Sequence, residues 1–221
     1  MSGKESMSPL AKLLSSKIVW RLSGITYSTS IIATNGRFLS RDDYLLTGNR
    51  EMAMLLNYFE KERIVLEFGC GPGKNLFGIA DKIKFGFGLD INGLYIRLAK
   101  KLAKTYRIEN ISFLKYDGLT FPKLGSVDIV FEKGVFERLP KLLVSQYISI
   151  LKKEYLKERG IMILYFLMER AKGTKFTKRL GDLSYVFWED REIIKLLDEN
   201  GLKLKEVLSI EFADFYVCQS M

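Results

Sequence analysis

The residues whose types and spacing carry the most chemistry lie between Ile64 and Asn75, in the run IVLEFGCGPGKN. An acid, Glu67, precedes three glycines at alternate positions, Gly69, Gly71 and Gly73, with Cys70 and Pro72 between them. Glycine lacks the Cβ that would obstruct a tight turn or the close approach of a ligand, so this loop reads as a cradle. A second acid, Asp90, ends the apolar run FGFGLDI, and a third, Asp117, follows ISFLKY. A carboxylate at the end of a second strand can accept hydrogen bonds from both vicinal hydroxyls of a ribose. The set points to an adenosine-type ligand.

Spacing separates the cofactor classes that use such loops. A phosphate-binding loop places four residues between its first glycine and a Gly-Lys pair, followed by Ser or Thr to reach magnesium. Here only three residues separate Gly69 from Gly73-Lys74, and Asn75 replaces the hydroxyl. The dinucleotide fingerprint puts its third glycine three residues after the second, in the first helical turn. Gly71-Pro72-Gly73-Lys74 departs from that, so a nicotinamide or flavin cofactor is the weaker reading. What fits is Glu-x-Gly-x-Gly-x-Gly.

With that pattern the chain resembles the class I S-adenosylmethionine-dependent methyltransferases, whose first motif reads V-L-D/E-x-G-C-G-x-G. The resemblance covers roughly residues 44 to 218, and further motifs follow in order. It implies S-adenosyl-L-methionine as cofactor and gives each acid a role. Glu67, Gly69, Gly71 and Gly73 would hold the methionine end, Asp90 the ribose and Asp117 the adenine amino group. The backbone N–H of Gly118 would meet a ring nitrogen, and Phe131 would contribute through its backbone. Cys70 and Ile91 complete the cofactor-binding set, with Tyr44 where related enzymes often carry an aromatic residue near the methionine end.

On the acceptor side, VDIVF continues into EKGVFERL, residues 132 to 139. The family pattern is F-D-x-V with a following segment that often closes in Glu-His-Leu; Arg138 stands where the histidine often is. Without an imidazole base, Glu132 and Glu137 are the candidate catalytic carboxylates, the alternative for Glu137 being an ion pair with Arg138 or a lysine. No Asn/Asp-Pro-Pro-Tyr/Phe motif and no cysteine follow the fourth strand, as enzymes acting on base amino groups or cytosine carbon have. The expected acceptor is an oxygen or nitrogen of a small molecule. RNA or protein is the alternative, suggested by the basic segment 168 to 181 with Arg170, Lys172, Lys175, Lys178 and Arg179. A non-catalytic adenosine-ligand-binding module is a third reading.

The elements that must position these residues alternate. Apolar runs predict strands at 64–68, 85–91, 111–116, 127–131, 161–167, 202–210 and 212–218, the last two joined tightly enough to be antiparallel. Helical spacing is read at 49–60, 75–83 and 93–106, from Pro140 onward, and at 189–200. Inward faces are expected at Leu94, Leu98 and Leu102, at Leu143, Tyr147, Ile150 and Leu151, and at Ile193, Ile194, Leu196 and Leu197. The fold class is therefore α/β: a Rossmann-like, doubly wound, mostly parallel seven-stranded sheet with a C-terminal antiparallel hairpin and an N-terminal helical extension. Residues 1–48 are read as that extension and 49–221 as the cofactor-binding domain. Within the extension, residues 8–24 form a helix that serves as a lid, docks on the sheet edge or anchors to a membrane, and 25–48 are irregular.

Composition bounds the rest. At 221 residues the chain holds one domain with a sizeable core, and 48% hydrophobic with 28% charged residues is ordinary for a soluble protein. There is no run of membrane-spanning length and no secretory pattern in MSGKESMSPL, so a cytoplasmic location is expected. Histidine is absent and Cys70 and Cys218 are the only cysteines, so neither a disulfide framework nor a metal site is expected. The net charge of +9 permits an anionic partner, although lysine-rich, glutamine-poor composition also resembles a thermophile surface laced with ion pairs. No residue pattern fixes an oligomeric state.

Overall fold

The structure is a computed structural model that describes residues 40–174 and 185–221. The helix expected at residues 8–24 lies outside the described residues, as do Lys175, Lys178 and Arg179.

The first described helix, α1, is Arg41–Met52, and a 3₁₀ turn, Ala53–Tyr58, follows it. The expectation of an irregular stretch up to residue 48 and a helix from 49 to 60 is corrected here. Ser40 caps α1 by accepting from the Asp43 N–H, so the helix starts well before the apolar run that suggested it. One consequence is that α1 runs through the 48/49 boundary assigned from the sequence.

Beyond α1 the strands and helices alternate: β1 (Ile64–Phe68), α2 (Lys74–Ile79), β2 (Phe85–Asp90), α3 (Gly93–Tyr106), β3 (Ile111–Lys115) and β4 (Val127–Glu132). Then come α4 (Lys141–Tyr155), β5 (Leu156–Leu167), α5 (Asp190–Glu199), β6 (Leu202–Ser209) and β7 (Ala213–Ser220). The seven strands run in the order β3-β2-β1-β4-β5-β7-β6, with only β7 reversed relative to its neighbours. The Rossmann-like α/β architecture read from the sequence is what forms. Strand order turns back between β1 and β4, which opens a crevice beyond their carboxyl ends.

Two apolar clusters cover the two sheet faces. Val65 belongs to the cluster with Met52, Leu55, Leu76 and Phe131, and its neighbour Leu66 to the cluster with Phe68, Val130, Val144 and Leu151. This is the alternation that a strand buried on both faces requires.

Three inward faces differ from the expectation. In α3 the buried residues are Tyr95, Ile96, Ala99, Leu102 and Ala103, with Leu94 and Leu98 only partly buried. In α4 they are Val144, Tyr147, Ile148, Leu151 and Tyr155, while Leu143 and Ile150 lie at the margin. In α5, Ile193, Leu196 and Leu197 point in and Ile194 is exposed. Leu102, Tyr147, Leu151, Ile193, Leu196 and Leu197 are buried as expected, and the remaining positions differ because packing on the neighbouring strands sets each helix's rotation. The fifth strand also begins at Leu156 instead of after Gly160: its pairing advances from Leu156 to Ile161 while β4 advances only from Val127 to Ile129. That bulge absorbs Arg159 at positive φ.

Candidate functional site: the crevice beyond β1, β2 and β4

The glycine loop leaves β1 and enters α2, with Gly69, Gly71 and Gly73 all at positive φ. Space matters as well as φ. A Cβ on Gly69 would lie 1.9 Å from Val135 Cγ2, and one on Gly73 would lie 2.6 Å from the Phe113 ring. The loop is also pinned from outside: a Cβ on Gly48 of α1 would lie 2.2 Å from the Lys74 carbonyl oxygen, and one on Gly78 would strike the Gly48 backbone at 2.6 Å. Helices α1 and α2 thus touch backbone to backbone beside the cradle.

Asp90 lies at the end of β2, nearly fully buried. Its Oδ2 accepts the Gly71 N–H at 2.8 Å and its Oδ1 accepts the Asn92 N–H at 2.7 Å. Burial pushes its carboxyl up to about 6, against the pull of those two donors. Each oxygen keeps a second acceptor site, so the same group can hold the loop and still meet a ribose. Ile91 follows, packed against the second cluster.

Glu67 is buried at the end of β1, and Asn75 Nδ2 donates to its Oε1 at 2.7 Å. Its Oε2 and the Asn75 Oδ1 have no hydrogen-bond partner among the described residues. Burial pushes the Glu67 carboxyl up to about 8. Two orphaned buried polar atoms beside a loop of positive-φ glycines are what a missing polar ligand leaves behind. Cys70, also in the loop, is buried with its thiol pushed well up by burial and by Asp90, so it acts there as a small packing group.

Asp117 is exposed at the rim, where its Oδ1 accepts the Leu119 and Thr120 N–H groups at 2.8 and 2.6 Å. Those donors hold its carboxyl below the usual range. Gly118 takes positive φ, and its carbonyl accepts the Tyr147 hydroxyl at 3.1 Å. Phe131 packs edge-on against Phe59, 5.9 Å between centroids, within the first cluster. Tyr44 is buried in the first cluster, on the same stripe of α1 as Gly48 and Glu51.

Of the candidate catalytic carboxylates, Glu132 is fully buried and Glu137 mostly so, its side chain 12% exposed. Glu132 Oε1 accepts the Val135 and Phe136 N–H groups at 2.6 and 3.1 Å, tying down the segment that follows β4, and burial pushes its carboxyl up to about 8. Glu137 lies 3.3 Å from the Arg138 guanidinium; burial raises its carboxyl and Arg138 counters that rise. Arg138 in turn stacks on the Tyr185 ring at 3.8 Å and donates to its hydroxyl at 2.5 Å.

In the basic segment, Arg170 is committed elsewhere. Its guanidinium pairs with both oxygens of buried Asp214 and donates to the carbonyls of Ile210, Glu211 and Ala213. Lys172 lies 3.4 Å from Glu169.

Sequence reasoning missed three charges at the centre of the site. Lys74 and Lys133 both reach Glu51, at 2.6 and 2.5 Å. Had the helix been started at Ser40, the spacing of Tyr44, Gly48 and Glu51 would have put them on one face. Among the described residues no group of His, Cys, Asp and Glu could hold a metal, and no helix is long and apolar enough to cross a membrane.

This geometry has known counterparts. A profile of the methyltransferase-domain family matches residues 59–179, over half of the chain. No curated protein matches by sequence search. Among solved structures, the magnesium protoporphyrin IX methyltransferase of Synechocystis PCC 6803 with bound SAH superposes with a TM-score of 0.72 at 18% identity, covering 95% of this chain and 100% of that one. A putative methyltransferase of Haloferax volcanii, in complex with the Trm112 activator, gives 0.66 at 19% identity over 86% and 96%. A SAM-dependent methyltransferase of Aquifex aeolicus gives 0.62 at 15% identity over 83% and 100%. With the family profile spanning the glycine loop, Asp90, Asp117 and the end of β4, the chain belongs to the methyltransferase-domain family and is a class I S-adenosylmethionine-dependent methyltransferase.

Proposed function

We propose that the enzyme methylates an oxygen or nitrogen of a small-molecule acceptor, with the crevice beyond β1, β2 and β4 as its cofactor site. The orphaned Glu67 Oε2 carries the cofactor assignment, because a buried carboxylate oxygen beside a glycine cradle calls for a donor such as the amino group of S-adenosylmethionine. Asp90 would take the ribose hydroxyls and the Asp117–Gly118 turn the adenine edge. When bound, S-adenosylmethionine supplies a methyl group already made electrophilic by its sulfonium.

The chain's own residues then have to align an acceptor behind that methyl and keep water out. Glu132 serves this as a staple, holding the backbone of Val135 and Phe136 in the segment facing the acceptor. Glu137, which among the described residues is held by its ion pair with Arg138 and not by backbone donors, is the better placed of the two to take a proton.

The small-molecule reading is supported by Arg170. The strongest cation of the described basic segment is spent on Asp214 and three carbonyls, which removes it from any phosphate backbone. The likeness to a magnesium protoporphyrin IX methyltransferase agrees with an acceptor of that size.

The test has two stages. Calorimetric titration with S-adenosylmethionine and S-adenosylhomocysteine, with NAD as control, is expected to give micromolar binding of both sulfur ligands; NAD uptake alone would overturn the cofactor assignment. S-adenosylhomocysteine release is then followed with a panel of small oxygen and nitrogen nucleophiles and with total RNA. Release with RNA but with no small molecule would overturn the acceptor assignment.

A further inference from the structure

Both oxygens of Glu51 are occupied by ammonium groups from different elements. Lys74 opens α2 directly after the glycine loop and reaches Oε1 at 2.6 Å; Lys133 directly follows β4 and reaches Oε2 at 2.5 Å. One carboxylate from α1 therefore bridges the two segments that border the crevice, one on the cofactor side and one on the acceptor side.

The three groups are not equally fixed. The Lys74 side chain is 9% exposed, whereas 26% of the Glu51 side chain is open to solvent. A buried ammonium is costly without an anion nearby, so Lys74 favours a carboxylate. It does not need this particular one, since Glu51 has a route to water. Lys133 also lies 5.6 Å from the Tyr165 ring centroid, so it keeps a second favourable contact when its partner changes. Glu67, with its orphaned Oε2, is close enough to feel both lysines. Two cations and an acid with one open oxygen complement an amino-acid zwitterion.

We infer that Glu51 is an internal stand-in for a ligand carboxylate: it holds the Lys74–Lys133 pair until the amino-acid end of the cofactor arrives, and then yields the pair to it. The inference rests on the cofactor assignment above. Glu51 is then a competitor for the same cations, and its removal strengthens carboxylate binding. The ordinary structural role would give the opposite sign. Because Lys133 belongs to the acceptor-facing segment, exchange of one carboxylate for the other keeps that segment tied to the cofactor loop throughout.

The comparison that isolates the carboxylate seat is S-adenosylhomocysteine against 5′-methylthioadenosine, which shares the adenosine and thioether but lacks the amino acid. Calorimetry on the full chain is expected to show Glu51→Gln binding S-adenosylhomocysteine about fivefold tighter than the parent, a coupling of ordinary size. Lys74→Met and Lys133→Met should each weaken it by roughly tenfold. In all three, 5′-methylthioadenosine affinity stays at the parent value, which also reports that the site is folded. If Lys74→Met fails to fold, the half-buried Lys133→Met and Glu51→Gln carry the test.

Weaker S-adenosylhomocysteine binding by Glu51→Gln, or an unchanged ratio of the two ligands in the lysine variants, overturns this inference alone. A parent protein that binds neither ligand overturns the cofactor assignment and takes the inference with it.

Discussion

The two halves of the crevice treat their polar groups differently. At the β1–β2 end, Glu67 and Asn75 each keep a buried oxygen without a partner, and Asp90 holds the loop while retaining acceptor capacity. At the β4–β5 end, the charged groups have found one another: Glu132 takes two backbone N–H groups, Arg138 stacks on Tyr185, and Arg170 is saturated by Asp214 and its neighbouring carbonyls. The first half leaves two buried oxygens open beside the glycine loop, whereas in the second most charged groups are paired, Glu132 Oε2 excepted. Substitutions in the first should therefore damage binding and leave folding largely alone, and those in the second should do the reverse.

The largest effect is expected at Asp90. Asp90→Ala removes the acceptor for the Gly71 and Asn92 N–H groups together with the proposed ribose contact. Charged hydrogen bonds of this kind contribute about 1.5–3 kcal/mol each, so S-adenosylhomocysteine affinity should fall roughly 100-fold in calorimetry. Parent-like binding would remove Asp90 from the site.

Arg170→Ala is the matching test of the other half. It leaves buried Asp214 without its partner, and stability should drop by about 2 kcal/mol, with the thermal midpoint down roughly 5 °C. Cofactor affinity should not change. Arg170→Lys should recover only part of the loss, because an ammonium cannot reproduce the fork that spans both Asp214 oxygens and the carbonyls. A drop in RNA or cofactor binding without a drop in stability would break the comparison.

Glu132→Gln separates a staple from a base. Glutamine keeps an oxygen to accept the Val135 and Phe136 N–H groups, so as a staple it should cost at most about tenfold in kcat. A general base would show a loss of roughly 100- to 10,000-fold. The rate of the variant against any acceptor found decides between them.

The same contrast explains what the sequence made legible. The glycine loop, Asp90 and Asp117 sit within short motifs whose spacing is local, and a sheet built from alternating apolar runs leaves little freedom in where they end. Glu51 could not be read that way, since its partners Lys74 and Lys133 lie 23 and 82 residues on. Its helix was also misplaced, because Ser40 supplies the start signal ahead of a polar first turn, RDDY. The basic segment suggests a substrate contact only as an alternative, and the pairing of Arg170 is hidden because Asp214 belongs to a strand 44 residues away. Charge runs reveal their partners only through tertiary pairing, and the rotation of α3 is likewise set by packing that periodicity does not contain.

The prediction that tests both halves at once is the pH dependence of stability. Burial raises Glu67 and Glu132 to about 8 and Asp90 to about 6. In the unfolded chain these carboxylates release their protons near pH ~4, so between those limits the folded state binds more protons than the unfolded one. Their contribution is fully present below the ordinary carboxylate range and is lost as pH rises through the folded values. Unliganded stability should therefore decline from about pH 5 to about pH 8, with a slope of at most ~1.4 kcal/mol per pH unit for each group. The halves then part. An ammonium placed beside Glu67 by S-adenosylhomocysteine favours its ionised form, so saturating ligand should flatten the Glu67 share of the slope and leave the Glu132 share untouched. Thermal melts across this range, with and without ligand, should show Glu67→Gln abolishing the ligand-dependent flattening and Glu132→Gln lowering the slope equally in both conditions. A ligand effect of parent size in Glu67→Gln would mean that the orphaned oxygen is not where the cofactor's amino group goes.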